Sequence, residues 1–272
     1  MKKYPTNPTR PIDEIISDVS ENILELLKEQ NIPLDQCVGV GIGFSGPIDR
    51  KQGTVIYSNN IKWKNVPLAK KIGEIIPCPV RVANDADCAA LGEAIAGSGK
   101  NHSDVVMFTF GNGVGGGVIL NGEVFEGDSI GGGEVGHQMI EINGRECSCG
   151  RKGCLEAYVS VPALIHAASQ FSDTEMSLKE IFDQYEHHNA NMSEVIKHYN
   201  LILGQGIANI VNMFRSQLII LGGDMSDYIG KLIEAIKQVM IENCFGGDSG
   251  VIPEIVIAEL GNNAGMIGAA NL

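Results

Sequence analysis

The spacing of apolar residues predicts a helix and then a short strand near the beginning of the chain. Between residues 12 and 30, apolar side chains recur three or four positions apart on one helical face, at Ile12, Ile15, Ile16, Val19, Ile23, Leu26 and Leu27. The apolar run at 38–44 predicts a buried strand that a glycine-proline turn closes. A short helix with proline in its first turn is predicted at 67–76. Asn59 and Asn60, in the polar loop between them, fit turn positions or a sugar contact.

The next pattern places two polar residues between a strand and a helix. The strand is predicted at 80–83, and an alanine-rich helix begins at Asp85, so that Asn84 and Asp85 occupy the usual location of ligand sites in α/β sheets. Aspartate at this position fits a helix N-cap. It equally fits a general base that accepts the proton of an attacking hydroxyl in phosphoryl transfer. We interpret Asp87, on the helix, as a less critical neighbour.

A glycine-rich hairpin follows, at 111–117, between apolar strands predicted at 105–110 and 117–120. Successive backbone N–H groups in such a loop can form a nest for phosphate oxygens. The hairpin is neither a Walker A loop, since no Gly-Lys-Ser/Thr follows, nor a Rossmann turn, since a strand follows instead of a helix. Glycines alone do not establish a phosphate site. The candidate contacts are Gly111, Asn112, Gly113, Gly115 and Gly116.

The C-terminal half is predicted to be largely helical. Helical spacing is found at 161–171, 177–185 and 192–214. A strand then leads through Gly222 and Gly223 into another helix, and glycines at such a turn would allow an adenine or a ribose to lie against the backbone. A further strand is predicted at 255–259, before a final helix.

Three cysteines and a histidine form the most distinctive cluster in the sequence. Cys147, Cys149 and Cys154 have the spacing C-x-C-x4-C, and His137 precedes them by ten residues. Three thiolates and one imidazole are a complete tetrahedral donor set for a structural zinc ion. The alternative is three buried free thiols and a surface histidine. Two carboxylates, Glu134 and Glu156, stand just outside this set, and each taken singly also fits a solvated loop residue.

Composition limits the classes of function. The chain has 272 residues with 44% hydrophobic residues, enough for a large core in one or two domains. Its net charge of −13 argues against a nucleic-acid partner, whose phosphates require a basic face. We find no apolar run long enough for a membrane span and no signal peptide, and the seven cysteines suit a reducing compartment. These features predict a soluble cytoplasmic protein.

The loop motif as a whole resembles a known signature. The pattern E-x-G-H, then C-x-C-G-x-x-G-C-x-E, closely resembles that of the ROK family of sugar kinases and sugar-responsive repressors, and the glucokinases most of all. It reads here as Glu134, Gly136, His137, Cys147, Cys149, Gly150, Gly153, Cys154 and Glu156. The resemblance extends over nearly the whole chain. It implies an α/β protein with the two-domain actin-like ATPase (ribonuclease H-like) fold.

The resemblance also implies roles for individual residues. Asn84 would contact the sugar and Asp85 would be the catalytic base, while Glu134, His137 and Glu156 would hold sugar hydroxyls. The hairpin is similar to a phosphate-binding L-G-T-G-x-G-G-G hairpin, with Asn112 in place of threonine. Gly222 and Gly223 would lie on the adenosine side. The metal ligands would be His137, Cys147, Cys149 and Cys154.

The activity implied is transfer of phosphate from ATP to the 6-hydroxyl of a hexose, with glucose as the leading substrate. Its cofactors would be Mg²⁺ and a structural Zn²⁺, and family members commonly form dimers. Alternatives are a kinase for N-acetylmannosamine or another hexose, a sugar-sensing regulator, and a sugar-binding protein without catalysis.

The chain departs from the family pattern at one point. Kinases of this superfamily open with a β-hairpin that carries D-x-G-G-T, and this sequence contains none. We therefore expect an N-terminally truncated fold whose first sheet exposes an edge. We expect one domain over 1–104, joined by the C-terminal helix 262–272, and a second over 105–261.

Overall fold

The structure is a computed structural model that describes residues 2–58, 61–128 and 130–272. Asn59 and Asn60, the two candidate sugar contacts in the first loop, lie outside the described residues. No helix in the described ranges is both long enough and apolar enough to cross a membrane.

The first part of the chain combines two small sheets with two helices. Its elements are α1 (Ile12–Glu29), β1 (Val40–Phe44), β2 (Ile48–Asp49), β3 (Thr54–Tyr57), β4 (Lys64–Val66), α2 (Leu68–Ile75) and β5 (Val80–Asn84). Strands β2, β3 and β4 form an antiparallel sheet, and β1 pairs with β5 in parallel. Buried side chains of α1, α2 and both sheets share one apolar cluster. Trp63 is buried there, with its ring stacked 5.1 Å from that of Phe44.

Our prediction of a buried strand at 38–44 is wrong in two respects. Strand β1 begins at Val40, and Val38 is 93% exposed. Along the strand, half-buried residues alternate with the exposed Gly41 and Gly43. The physical reason is that β1 has a strand neighbour on one side only within the described sheets, namely β5. Its other side faces a groove of about 720 Å³ that Asp85 and the C-terminal helix also line.

The second part is built on a five-stranded mixed sheet. In chain order its strands are β6 (Val105–Phe110), β7 (Val114–Leu120), β8 (Glu123–Val124), β9 (Leu218–Gly223) and β10 (Glu254–Ile257), and their order in the sheet is β10-β9-β6-β7-β8. Strands β6, β9 and β10 run parallel, and β6-β7-β8 is an antiparallel meander. The largest apolar core joins this sheet to the helices that follow β8.

Those helices agree with the predicted pattern, with ends that shift by a few residues. They are α4 (Glu156–Val159), α5 (Val161–Ser169), α6 (Leu178–Glu186), α7 (Ala190–Phe214), α8 (Ser226–Ile229), α9 (Ile233–Asn243) and α10 (Ala264–Ala269). A capping box at the start of α6 fixes that boundary, because the side chains of Ser177 and Glu180 satisfy each other's backbone N–H groups. The long α7 supplies much of the buried surface behind the sheet.

Helix α3 (Asp85–Ala96) packs against α10 through glycines. A Cβ atom on Gly92 would lie 2.1 Å from the carbonyl oxygen of Ala264, and one on Gly268 would lie 1.7 Å from that of Cys88. The other side of α3 rests on β7, where a Cβ on Gly117 would come within 2.5 Å of the Ala90 methyl group. Helix α3 is therefore held tightly on two sides. The division into domains at 1–104 with 262–272, and 105–261, stays a prediction.

Candidate active site and metal centre

The start of α3 is organised by Asn84 rather than by Asp85. The Asn84 side-chain oxygen accepts hydrogen bonds from the backbone N–H groups of Ala86 at 2.8 Å and Asp87 at 3.3 Å, so Asn84 is the N-cap. Its amide nitrogen donates to the carbonyl oxygen of Gly46 at 3.2 Å. The reading of Asp85 as the helix cap is therefore wrong, because its neighbour occupies that position. Asn84 ties the turn after β1 to the helix.

Asp85 is the first residue of α3, and its side chain is exposed. Desolvation by the surrounding protein raises the pKa of its carboxyl group, and a hydrogen bond from the Ala86 N–H at 3.0 Å partly opposes this shift. The carboxylate thus combines access from solvent with a proton affinity above its ordinary value. These are the properties that a general base requires.

Asp87, two residues further along α3, is buried. It is 4% exposed, and its Oδ1 atom has no hydrogen-bond partner among the described residues. Burial raises its pKa to about 7; Arg50 opposes the shift, while Glu134, Asp85 and Glu126 add to it. Our interpretation of Asp87 as a less critical neighbour stays a prediction; what the sequence did not show is its burial close to other acids, Asp85, Glu126 and Glu134. One sequence signal was available, namely an acid within an otherwise alanine-rich helix.

The cation Arg50 acts on Asp87. Arg50 directly follows β2, and its guanidinium group forms an ion pair with the Glu126 carboxylate at 2.5 Å. The side chains of both residues are partly buried, that of Arg50 more deeply. Glu126 lies in the segment after β8, so this pair joins the first part of the chain to the second. Because Arg50 also acts on Asp87, it connects three separate segments beside the start of α3.

The glycine hairpin is shorter than the sequence suggested. Strand β7 begins at Val114, so that the turn comprises only residues 111–113. Gly115 and Gly116 are therefore not loop residues, which corrects the prediction. A Cβ on Gly115 would lie 2.8 Å from the Thr109 Oγ1, and one on Gly116 would lie 2.3 Å from a Val135 methyl group. In the strand these glycines allow close packing on both faces of the sheet.

The turn at 111–113 adjoins the carboxyl end of β9. The backbone N–H of Asp224 donates to the Phe110 carbonyl at 2.6 Å, and a Cβ on Gly111 would lie 3.3 Å from the Asp224 carboxylate. Gly223 is exposed, with a φ of +86° that favours glycine. Gly222 is buried, and a side chain there would strike Ala258, so packing already accounts for this glycine. A cavity of about 630 Å³, which Asp224, Val161 and Tyr228 help to line, opens beside the turn.

The predicted metal ligands converge in space. One donor atom from each of His137, Cys147, Cys149 and Cys154 lies within 4.8 Å of every other. The Cys149 and Cys154 sulfurs are 3.7 Å apart, and the Cys147 sulfur is 3.7 Å from the His137 Nδ1. Four donors around one zinc ion stand roughly 3.5 to 3.8 Å apart, given metal–ligand distances of about 2.0 to 2.3 Å. The geometry of the cluster fits a tetrahedral ion.

The two glutamates that flank this cluster have different surroundings. Glu156, at the start of α4, accepts hydrogen bonds from the Val114 N–H at 3.0 Å and, on its other oxygen, from the Ser148 hydroxyl at 2.5 Å. Glu134 is exposed, and its carbonyl oxygen accepts from the His137 N–H at 3.0 Å, which closes the turn between them. Glu156 thus joins the cysteine loop to the glycine hairpin, while the charge of Glu134 helps to raise the pKa of Asp87.

The chain is similar to known proteins in sequence and in fold. The sequence profile of the ROK family matches residues 2–272. A glucokinase of Streptomyces coelicolor is 31% identical over 287 residues, which cover 99% of this chain and 88% of that protein. A xylose repressor of Bacillus spizizenii is 31% identical over 235 residues, which cover 86% of this chain and 60% of the repressor.

The crystal structure of a ROK family glucokinase from Streptomyces griseus, in complex with glucose and AMPPNP, superimposes with a TM-score of 0.80. The two chains are 29% identical, and the alignment covers 98% of this chain and 88% of the other. The predicted mixed α/β, actin-like ATPase fold is confirmed by this likeness and by the family match. The chain belongs to the ROK family.

Proposed function

We propose that the chain is an ATP-dependent hexose kinase in which Asp85 accepts the proton of the attacking sugar hydroxyl. The observation that carries this proposal is the position of Asp85 at the start of α3, exposed and with a raised pKa. In phosphoryl transfer a carboxylate of this kind orients the nucleophile and takes its proton. Asn84 fixes that carboxylate in place through its two sets of hydrogen bonds.

The sugar would lie between α3 and the cysteine loop. The charges of Asp85 and Glu134 both raise the pKa of the buried Asp87, which supports placing these two residues near each other. If the His137 Nδ1, which lies 3.7 Å from Cys147, binds the metal, its Nε2 can only donate a hydrogen bond. One donor between carboxylate acceptors suits neighbouring sugar hydroxyls. Glu134, His137, Glu156 and Asn84 are therefore the sugar contacts in this proposal.

The nucleotide would lie along the glycine turn. The Gly111 N–H donates to the Gly113 carbonyl at 3.0 Å, so the N–H groups of Asn112 and Gly113 would be the turn's phosphate donors, and the cavity beside Asp224 offers about 630 Å³ for a base and a ribose. Gly223, exposed at the end of β9, lets a ligand approach the backbone. Gly115, Gly116 and Gly222 contribute through close packing that shapes this region. Mg²⁺ characteristically binds phosphate oxygens and few protein ligands, so we expect it to enter with ATP.

Zinc, when bound, would neutralise the thiolates and keep the loop in one shape. Cys147, Cys149, Cys154 and His137 would hold it, which leaves no open position for chemistry. Desolvation raises the pKa of Cys147 and Cys154, whereas at Cys149 hydrogen bonds from Arg151, Cys147 and Cys154 outweigh desolvation and lower the pKa to about 6. A thiolate at neutral pH is the form that a metal binds.

Glucose is the leading substrate in this proposal, because the matched relatives include glucokinases. N-acetylmannosamine or another hexose would meet the same hydroxyl-binding residues. A sugar-sensing role is the second candidate, and the likeness to a xylose repressor motivates it.

The test is ADP release by the zinc-loaded chain with Mg-ATP and one sugar at a time: glucose, mannose, N-acetylmannosamine or xylose. The kinase proposal expects ADP release that depends on a hexose, with glucose giving the highest kcat/KM. Sugar binding measured by calorimetry without any sugar-dependent ADP release would contradict it and favour the sensor.

A further inference from the structure

Two cysteines outside the metal cluster are brought together although 41 positions separate them in the sequence. The Sγ atoms of Cys37 and Cys78 lie 3.8 Å apart. Both side chains are half-buried, so that small molecules in solvent can reach them. A disulfide bond is about 2.05 Å long, and small rotations of the two side chains would bring the sulfurs roughly 1.8 Å closer.

These thiols sit at one end of the two-stranded sheet that carries the candidate base at its other end. Cys37 precedes β1 and Cys78 precedes β5. The two strands run parallel from the pair Val40–Val80 to the pair Phe44–Asn84. A two-stranded sheet is only marginally stable by itself in water. A covalent link between the amino ends would restrain the strand pair that ends at Asn84.

We propose that Cys37 and Cys78 form a reversible dithiol–disulfide pair that fastens β1 to β5. With oxidised glutathione as the oxidant, the Cys37 thiolate attacks one glutathione sulfur and expels a glutathione thiolate. The Cys78 sulfur then attacks the Cys37 sulfur of the mixed disulfide and expels the second. The protein loses two protons and two electrons, and one oxidised glutathione becomes two reduced molecules.

Of the seven cysteines, Cys37 and Cys78 are the two whose surroundings suit a disulfide bond. Cys147, Cys149 and Cys154 belong to the metal cluster, and Cys88 and Cys244 are buried. Desolvation raises the pKa of Cys78, and its contact with Cys37 raises it further. A raised pKa disfavours the Cys78 thiolate, so we assign the first attack to Cys37 and the resolving step, after Cys78 has lost its proton to solvent, to Cys78.

The test uses the zinc-loaded full chain in buffers of graded ratios of reduced to oxidised glutathione, followed by alkylation and peptide mass spectrometry. We expect one cross-linked peptide pair, Cys37 with Cys78, and a rise of the melting temperature by roughly 5 to 10 °C. Both effects should reverse on adding excess reduced glutathione. The measurement is independent of kinase activity.

Two single variants, Cys37→Ser and Cys78→Ser, serve as matched controls. Each should take up one glutathione at its remaining thiol and show no rise of the melting temperature. The proposal is overturned if Cys37 and Cys78 of the wild-type chain remain unlinked in the most oxidising buffer. It is equally overturned if either serine variant shows the same thermal shift as the wild type.

Discussion

The side-chain carboxylate of Glu156 accepts a hydrogen bond from the backbone N–H of Val114, at 3.0 Å. This contact joins the start of α4, directly after the cysteine loop, to the first residue after the glycine turn. In the proposed kinase, the loop holds the sugar and the turn holds the phosphates. In that proposal, this one side chain would set the relative position of the two substrates.

Replacing Glu156 by glutamine should lower kcat/KM for the sugar and for ATP together. The amide can still accept the Val114 hydrogen bond, but it loses the negative charge and the acceptor that faces the Ser148 hydroxyl. We expect kcat/KM to fall about 10- to 100-fold for the sugar and for ATP, from the loss of a charged hydrogen bond. Steady-state kinetics with each substrate varied in turn measures this. Glu123→Gln, at an exposed residue of β8, is the control and should leave both values unchanged.

Replacing Asp87 by asparagine should change how stability depends on pH. Burial raises the pKa of Asp87 to about 7 in the folded chain, from 3.8 in the absence of these surroundings. Between these values the folded state holds a proton that the unfolded state has released, so the wild-type chain loses stability as the pH rises through this window. The effect is at most roughly 4 kcal/mol, at about 1.4 kcal/mol for each pKa unit.

The neutral Asp87→Asn side chain removes that dependence. The melting temperature of the variant should therefore rise relative to the wild type between pH 5 and pH 8. Parallel curves for the two proteins over that range would show that Asp87 keeps an ordinary pKa. An Asp227→Asn variant, at an exposed residue of α8, controls for the loss of one negative charge.

Two glycines of α10 should respond oppositely to the same substitution. A Cβ on Gly268 would lie 1.7 Å from the Cys88 carbonyl oxygen, whereas a Cβ on Gly265 would have no atom within 4 Å. Gly268→Ala should therefore force α10 away from α3 and destabilise the chain by about 2 kcal/mol or more. Gly265→Ala should be neutral or stabilising by up to about 1 kcal/mol, because alanine favours helices. Urea unfolding of both variants makes the comparison, and equal effects would refute the packing of α3 on α10.

Removing the metal should loosen the sugar loop. We expect one zinc per chain by elemental analysis, and a lower melting temperature and weaker sugar binding after chelation. Cys149→Ser should lose most of the zinc, since one of four ligands is gone. Cys37→Ser, a half-buried cysteine outside the cluster, should keep it. Sugar binding that is unchanged in metal-free protein would contradict the role given to the ion.

The sequence predicted best those elements whose signal is local. The helices α1 and α7 follow from apolar spacing, and the cysteine cluster follows from its own spacing. The capping role of Asn84 was not recognised, although asparagine before a helix is a common cap. Asn84 and Asp85 are adjacent and both can cap a helix, so the sequence alone does not show which of them is the N-cap. The backbone geometry shows that it is Asn84.

What the sequence could not supply depends on contacts between distant segments. Strand β1 has the apolar residues of a buried strand, yet its burial depends on how many strands lie beside it. Gly115 and Gly116 look like turn residues, and only the packing of Val135 and Thr109 against β7 shows why they are glycines. The raised pKa of Asp87 likewise comes first from burial by the folded chain, and three of the charges that act on it, Arg50, Glu126 and Glu134, lie in other segments.

The most direct test of the central claim compares Asp85→Asn with Asp227→Asn in sugar-dependent ADP release and in sugar binding by calorimetry. Asparagine keeps the shape of the side chain but cannot take the proton. We predict that Asp85→Asn lowers kcat by about 10²- to 10⁴-fold while the sugar Kd changes less than tenfold, and that Asp227→Asn changes neither. A kcat within a factor of three of the wild type for Asp85→Asn would contradict the assignment of Asp85 as the base.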